Sequence, residues 1–131
     1  MNQARLKDVP FFSSLKKKEL EQIARQADEI DVPAGKVLAK QGDLGDEFFV
    51  IESGSADVAR DGERINELGP GDFFGEIALL EEDRRNATVT ARTPMELIVM
   101  TRSSFRAIDK AMPHVHKVVQ EAIEQRRVPA A

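Results

Sequence analysis

One stretch of this sequence gathers residues that suit an anionic ligand: Gly75-Glu76, then a charged loop, then Arg84-Arg85-Asn86-Ala87-Thr88. Gly75 lets the backbone come close to a ligand. The residues from Glu76 to Leu80, Ile77 and Ala78 among them, suit one helical turn whose first N–H groups lack partners within the helix and attract a phosphate. Arg85 precedes an expected strand over 87–92, so its planar guanidinium can fold back over that helix start and grip two phosphate oxygens together. A carboxylate beside a phosphate needs another reason, and Glu76 has one if the same ligand carries a ribose hydroxyl for it to accept. Singly, each feature has a commoner explanation: an acidic residue in a first turn answers the helix dipole, and an arginine beside acids is often a surface ion pair. The combination carries the argument.

The segment from Gly69 to Ala91 resembles the phosphate-binding cassette of the cyclic nucleotide-binding domain family, through Phe74, Gly75, Glu76, Ala78, Leu79, Arg85, Ala87, Thr88 and Val89. The resemblance extends over most of the chain, from Val9-Pro10-Phe11 and Ser14-Leu15 through Pro33-Ala34-Gly35 and Gly42-Asp43 to the C-terminal end. It implies that Arg85 binds the cyclic phosphate and Glu76 the ribose hydroxyl, with backbone N–H groups near Ile77 and Ala78 completing the anion cradle. Gly75, Asn86, Ala87 and Thr88 would line the same site. Arg84 has no role in the pattern and is expected in solvent. Asn86 departs from the Ala, Ser or Thr often found at its position. Because threonine there goes with guanine in parts of the family, cyclic AMP is the expected ligand and cyclic GMP the alternative. No cofactor is expected. In the family the module controls a separate output, so an effector protein or output domain is the expected partner.

These residues must be positioned by a scaffold, and the glycines outline it. All eight lie between Gly35 and Gly75, punctuating short stretches rich in Val, Ile, Leu and Phe. Strands are expected at 29–32, 36–40, 47–52, 55–60, 63–68, 87–92 and 96–101, with a short extended piece at 72–74. Asp61-Gly62 is a two-residue hairpin signal. A mainly β protein follows: an antiparallel β-barrel of jelly-roll type over about 29–101, with a short cassette helix and flanking N- and C-terminal helices. The N-terminal helices fall within about 5–27, where Leu15, Leu20, Ile23 and Ala24 recur at helical spacing behind a cap at Ser13 or Ser14. Ser103 or Ser104 can open the C-terminal helices, about 103–127, and the last carries an apolar stripe at Val115, Val118, Val119, Ala122 and Ile123. The whole chain, 1–131, reads as one domain.

Other function classes find less support. A net charge of -4 speaks against holding nucleic acid by the overall field, and Lys16-Lys17-Lys18 reads as a solvated helix face. No recognition helix is expected, so nucleic acid is not an expected partner. The absence of cysteine excludes disulfides and thiolate chemistry. A cupin-type barrel enzyme needs metal ligands aimed into the barrel, and the two histidines, His114 and His116, fall outside it. No Ser/His/Asp set or paired carboxylates stand out, so a binding sensor is expected rather than an enzyme. A nucleotide-independent scaffold of the same fold is the alternative. With no signal-like or membrane-length apolar run, the cytoplasm is the expected compartment and membrane contact is not expected.

Overall fold

Two apolar runs, 48–51 and 97–100, organise the fold. A run without alternation must be covered on both faces, and every residue of both runs is buried. They lie side by side in adjacent antiparallel strands, with Phe49 opposite Val99 and Ile51 opposite Leu97. The computed structural model describes residues 16–45, 47–75 and 84–101, together with 103, 104 and 117. Helix α1 (Lys17–Gln26) leads into β1 (Asp28–Val32), β2 (Val37–Ala39), β3 (Glu47–Ser53), β4 (Ala56–Arg60), β5 (Glu63–Leu68), β6 (Phe73–Phe74), β7 (Thr88–Ala91) and β8 (Met95–Thr101). Each expected strand is present, its ends displaced by no more than one residue. The segments expected as the cassette helix and the C-terminal apolar stripe lie outside the described residues, as does everything before Lys16.

The strands form two four-stranded antiparallel sheets, ordered β1-β8-β3-β6 and β2-β7-β4-β5. This is the strand order of a jelly roll, in which the chain passes between two facing sheets. The expected jelly-roll fold is present, and among the described strands no pairing joins the two sheets into a closed ring. One core fills the space between them. Phe49, Ile51, Phe74, Met95, Leu97 and Val99 come from the first sheet, and Ala39, Ala56, Leu68, Val89 and Ala91 from the second. The other face of β3 and β8 buries Phe48, Val50, Ile98 and Met100 as well. An antiparallel sheet buried on both faces needs a covering layer, and α1 is amphipathic, with Leu20 and Ile23 buried.

Local chemistry sets the ends of these elements. The expected cap at Ser13 or Ser14 is replaced by Lys16, whose extended backbone precedes α1 and whose N–H donates to Glu19 Oε1 at 2.8 Å. The glutamate at the third helical position thus satisfies the start from inside the helix. A second cap also moves. Ser103 and Ser104 are already helical, and the Ser104 N–H donates to Thr101 Oγ1 at 3.3 Å, so the threonine ending β8 takes the capping part. Asp61 and Gly62 join β4 to β5 as expected, with φ of 54° and 81°, the paired left-handed conformation that matches strand twist. No described helix is long and apolar enough to cross a membrane.

This core makes a testable distinction. Leu97 is wholly buried whereas Ile65 on β5 is 46% exposed, so Leu97→Ala should cost about 2–5 kcal/mol and Ile65→Ala less than about 1 kcal/mol. Urea denaturation of the two variants reads the difference, and equal losses would contradict the core described here.

Candidate functional site

The site begins where β6 ends. β6 has two residues, paired with β3 as Phe74 to Phe49 and Phe73 to Val50. Its rings hold it there: Phe74 stacks on Phe49 with centroids 4.7 Å apart, and Phe73 lies 5.7 Å from Phe48 across the other face. The chain therefore leaves the sheet at a fixed point beside the start of β3. Gly75 occupies that point with φ of 94°, in the region that side chains disfavour. A Cβ there would stand 2.6 Å from both Arg85 Nη1 and the Glu47 carbonyl oxygen. Gly75 was expected to let the backbone come close to a ligand; the side chain that comes close to it in this structure is the Arg85 guanidinium.

Arg85 is half-buried, and its Nη2 donates to the Glu47 carbonyl at 2.8 Å. The backbone beneath it is tied to the turn after β2. Gly42 N–H donates to the Arg85 carbonyl at 2.9 Å, and Arg85 N–H donates to the Asp43 carbonyl at 2.8 Å. Arg84 pairs with Leu44 in an isolated bridge, and its Nη1 donates to the Gly42 carbonyl at 2.8 Å. Arg84 is exposed, as expected, and is in addition hydrogen-bonded to the turn that carries Arg85. Asn86 is exposed, and its carbonyl accepts from Arg60 Nε at 3.1 Å. Ala87 is buried. The Thr88 hydroxyl accepts the Gln41 N–H at 3.0 Å.

The structure thus brings Gly75 and Arg85 together and sets Asn86, Ala87 and Thr88 in sequence behind the arginine. Glu76, Ile77 and Ala78 lie outside the described residues. A guanidinium offers a planar donor fork and a permanent charge, suited to an anion with two oxygens in one plane. Gln41, Arg60 and the Glu47 carbonyl were not legible in the sequence. A backbone acceptor leaves no residue signature, and the contacts of Gln41 join positions 20 and 47 residues away. Among the described residues, one group of carboxylates is close enough to share a cation: Glu29, Glu52 and Glu96, with oxygens within 4.8 Å of one another. Glu96 stands between the core residues Met95 and Leu97 on β8, and Glu29 pairs with Ile98. Strand alternation therefore puts both outside the space between the sheets, where a cupin-type metal site would have to be.

The family model of the cyclic nucleotide-binding domain matches residues 29–111, well over half of the chain. The chain belongs to the cyclic nucleotide-binding domain family. It is 40% identical over 110 residues, 82% of its length, to a cAMP-dependent protein kinase regulatory subunit of Emericella nidulans, of which it spans 27%. The family fold is also that of PfPKA-R with cAMP bound, matched with a TM-score of 0.86 at 26% identity over 95% of this chain and 43% of that one. The regulatory subunit of a cAMP-independent protein kinase A from Trypanosoma brucei matches with a TM-score of 0.83 at 25% identity, over 94% of this chain and 44% of that one. The family is one of ligand-binding regulatory domains, not of catalytic ones.

The geometry at Gly75 gives a prediction for this family member. In Gly75→Ala the arginine tip can swing away, but the Glu47 carbonyl is strand backbone, at the start of β3 and opposite Thr101 of β8, and cannot. Together with the positive φ, this should cost about 1–3 kcal/mol and shift the Arg85 side-chain resonances. Chemical denaturation and NMR of the variant check both, and a variant as stable as wild type with Arg85 unshifted would contradict the close approach.

Proposed function

We propose that this domain binds a cyclic nucleotide, cyclic AMP in preference to cyclic GMP, and regulates an effector through that binding. The observation that carries the reading is the Arg85 guanidinium held at Gly75, where the cassette begins. In this reading Arg85 takes the cyclic phosphate as a charged fork and Glu76 accepts the ribose hydroxyl. Backbone N–H groups near Ile77 and Ala78 complete the cradle. The relatives support the ligand: the Emericella nidulans protein is named as a cAMP-dependent regulatory subunit, and PfPKA-R has cAMP bound. Asn86 is exposed beside Arg85 and is not the threonine associated with guanine in parts of the family, which favours adenine.

The effector is proposed to be a protein or domain that distinguishes the free from the bound form. The apolar stripe at Val115, Val118, Val119, Ala122 and Ile123 is proposed as the moving element, docking more firmly when ligand is present. A nucleotide-independent regulatory domain is the second reading, favoured by the fold shared with the cAMP-independent Trypanosoma brucei subunit. A mutant of that subunit with three substitutions, one of them threonine to arginine, is bound to cAMP. An arginine is therefore among the changes that accompany the ligand, and this chain already has Arg85.

Calorimetric titration with both nucleotides tests the reading. Cyclic AMP should bind more tightly than cyclic GMP, and Arg85→Ala should weaken binding by about 2–5 kcal/mol through loss of the charge partner in a partly desolvated site. Arg84→Ala should cost far less, and equal losses from the two would refute the assigned register. Glu76→Ala should cost less than Arg85→Ala and erode the preference for ribose over deoxyribose ligands. A nucleotide in hundredfold excess over its Kd should add about 2.7 kcal/mol of stability, and no thermal shift with either nucleotide would favour the second reading. Truncation after Met112 should weaken binding roughly fivefold if the C-terminal stripe is coupled to the ligand, and unchanged affinity would remove that part of the proposal.

A further inference from the structure

Arg85 stands on neither a helix nor a strand interior, so something else must hold its backbone. The 41–43 turn does so directly, through the bonds of Gly42 and Asp43 to the arginine's own peptide groups. That turn is itself held from the far end of the second sheet. Gln41 Oε1 accepts the Asp61 N–H at 2.8 Å, and Gln41 Nε2 donates to Asp61 Oδ1 at 2.9 Å, so one side-chain amide engages the hairpin tip at two points. The Gln41 N–H reaches Thr88 Oγ1. Arg60, next to Asp61, donates to the Asn86 carbonyl from the same hairpin. The hairpin tip, the 41–43 turn and residues 85–88 thus form a ring of hydrogen bonds around the base of Arg85. Asp61 adopts φ of 54°, which a non-glycine residue holds only at some cost, and the two bonds from Gln41 offset it.

We propose that Gln41 is a positioning residue for Arg85: by clamping the 41–43 turn to the Asp61-Gly62 hairpin it keeps the guanidinium at Gly75 in the geometry that takes the phosphate. The proposal rests on the reading of Arg85 as the phosphate-binding group. Gln41 itself has no place in the cassette pattern. Each bond in the ring is individually weak, but they act on one peptide segment, and a small displacement at the base of a long side chain is enlarged at its tip. A merely structural Gln41 would lower stability and leave the affinity of the folded protein unchanged. A positioning Gln41 lowers the affinity.

An exchange of roles tests this in the full chain. Gln41→Glu sets a carboxylate against Asp61. Adding Asp61→Asn restores complementarity with the donor moved to the hairpin, and asparagine tolerates the left-handed conformation as aspartate does. By calorimetry with cyclic AMP, Gln41→Ala and Gln41→Glu should each weaken binding by about three- to tenfold, and the Gln41→Glu/Asp61→Asn pair should return to within about twofold of wild type. Gln41→Met keeps the bulk without the amide and replaces Gln41→Ala should that variant fold poorly. Amide exchange at Gly42 and Arg85, measured without ligand, should quicken in the single variants and recover in the pair. Wild-type affinity in Gln41→Ala with unchanged exchange would overturn the clamp, as would failure of the exchanged pair to restore both readouts. Should wild type bind neither nucleotide, the phosphate role of Arg85 fails, and amide exchange alone upholds or overturns the clamp.

Discussion

The site depends on one contact: a permanently charged, flexible arginine side chain laid against a backbone carbonyl and a glycine. A guanidinium free to sample its rotamers is a poor receptor, because ordering it on binding opposes affinity. Here the ordering is built into the fold. The Glu47 carbonyl accepts Arg85 Nη2, and Gly75 leaves room for Nη1 where any side chain would intrude. A carbonyl oxygen carries no net charge, so this bond orients the cation without neutralising it. The contact is only as firm as β3, so the burial of Phe48 through Ile51 bears on the proposed ligand chemistry as well as on stability.

Both sheets contribute to this contact. β3 and β6 of the first sheet supply Glu47 and the approach to Gly75, while β7 of the second begins at Thr88, three residues beyond Arg85. Among the described strands, the sheets are joined through the core and not by strand pairing. Side-chain packing therefore sets the distance between the arginine's base and its acceptor. Close-packed interiors have low compressibility, so the shared layer of Phe49, Phe74, Val89 and Ala91 holds the two halves in register.

What the sequence made legible follows from the range of each interaction. The strands were readable because apolar runs and turn residues are local signals, and the Asp61-Gly62 hairpin because its backbone conformation restricts the residues that can form it. Arg85 and Gly75 were readable as a pair because the cassette keeps them within one short segment. The caps at Lys16 and Thr101 were misplaced because nearby serines are equally good formers, and tertiary context decides which residue lies at the boundary. Gln41, Arg60 and the Glu47 carbonyl were not readable. The first two look like ordinary polar surface residues, and the third acts through a group that every residue carries. Arg84 is exposed as expected, but its bond to the Gly42 carbonyl was not readable, because nothing in the type of residue 42 announces an acceptor.

The ring of bonds beneath Arg85 also has a consequence for how such a domain communicates. It runs from Arg85, the proposed phosphate-binding group, to an exposed hairpin tip, through exposed hydrogen bonds. Coupling free energies are reciprocal: if Arg85 takes the ligand as proposed, whatever holds the hairpin in the conformation that fastens Arg85 favours ligand, and ligand favours that conformation in return. The magnitude is bounded by the few bonds that form the connection, each exposed and individually weak. A path of this kind tunes affinity by small factors and does not switch it off. Large changes in output then require an element that buries far more surface on ligand binding than a hairpin tip can, which is the physical reason to look for the main switch in an amphipathic helix.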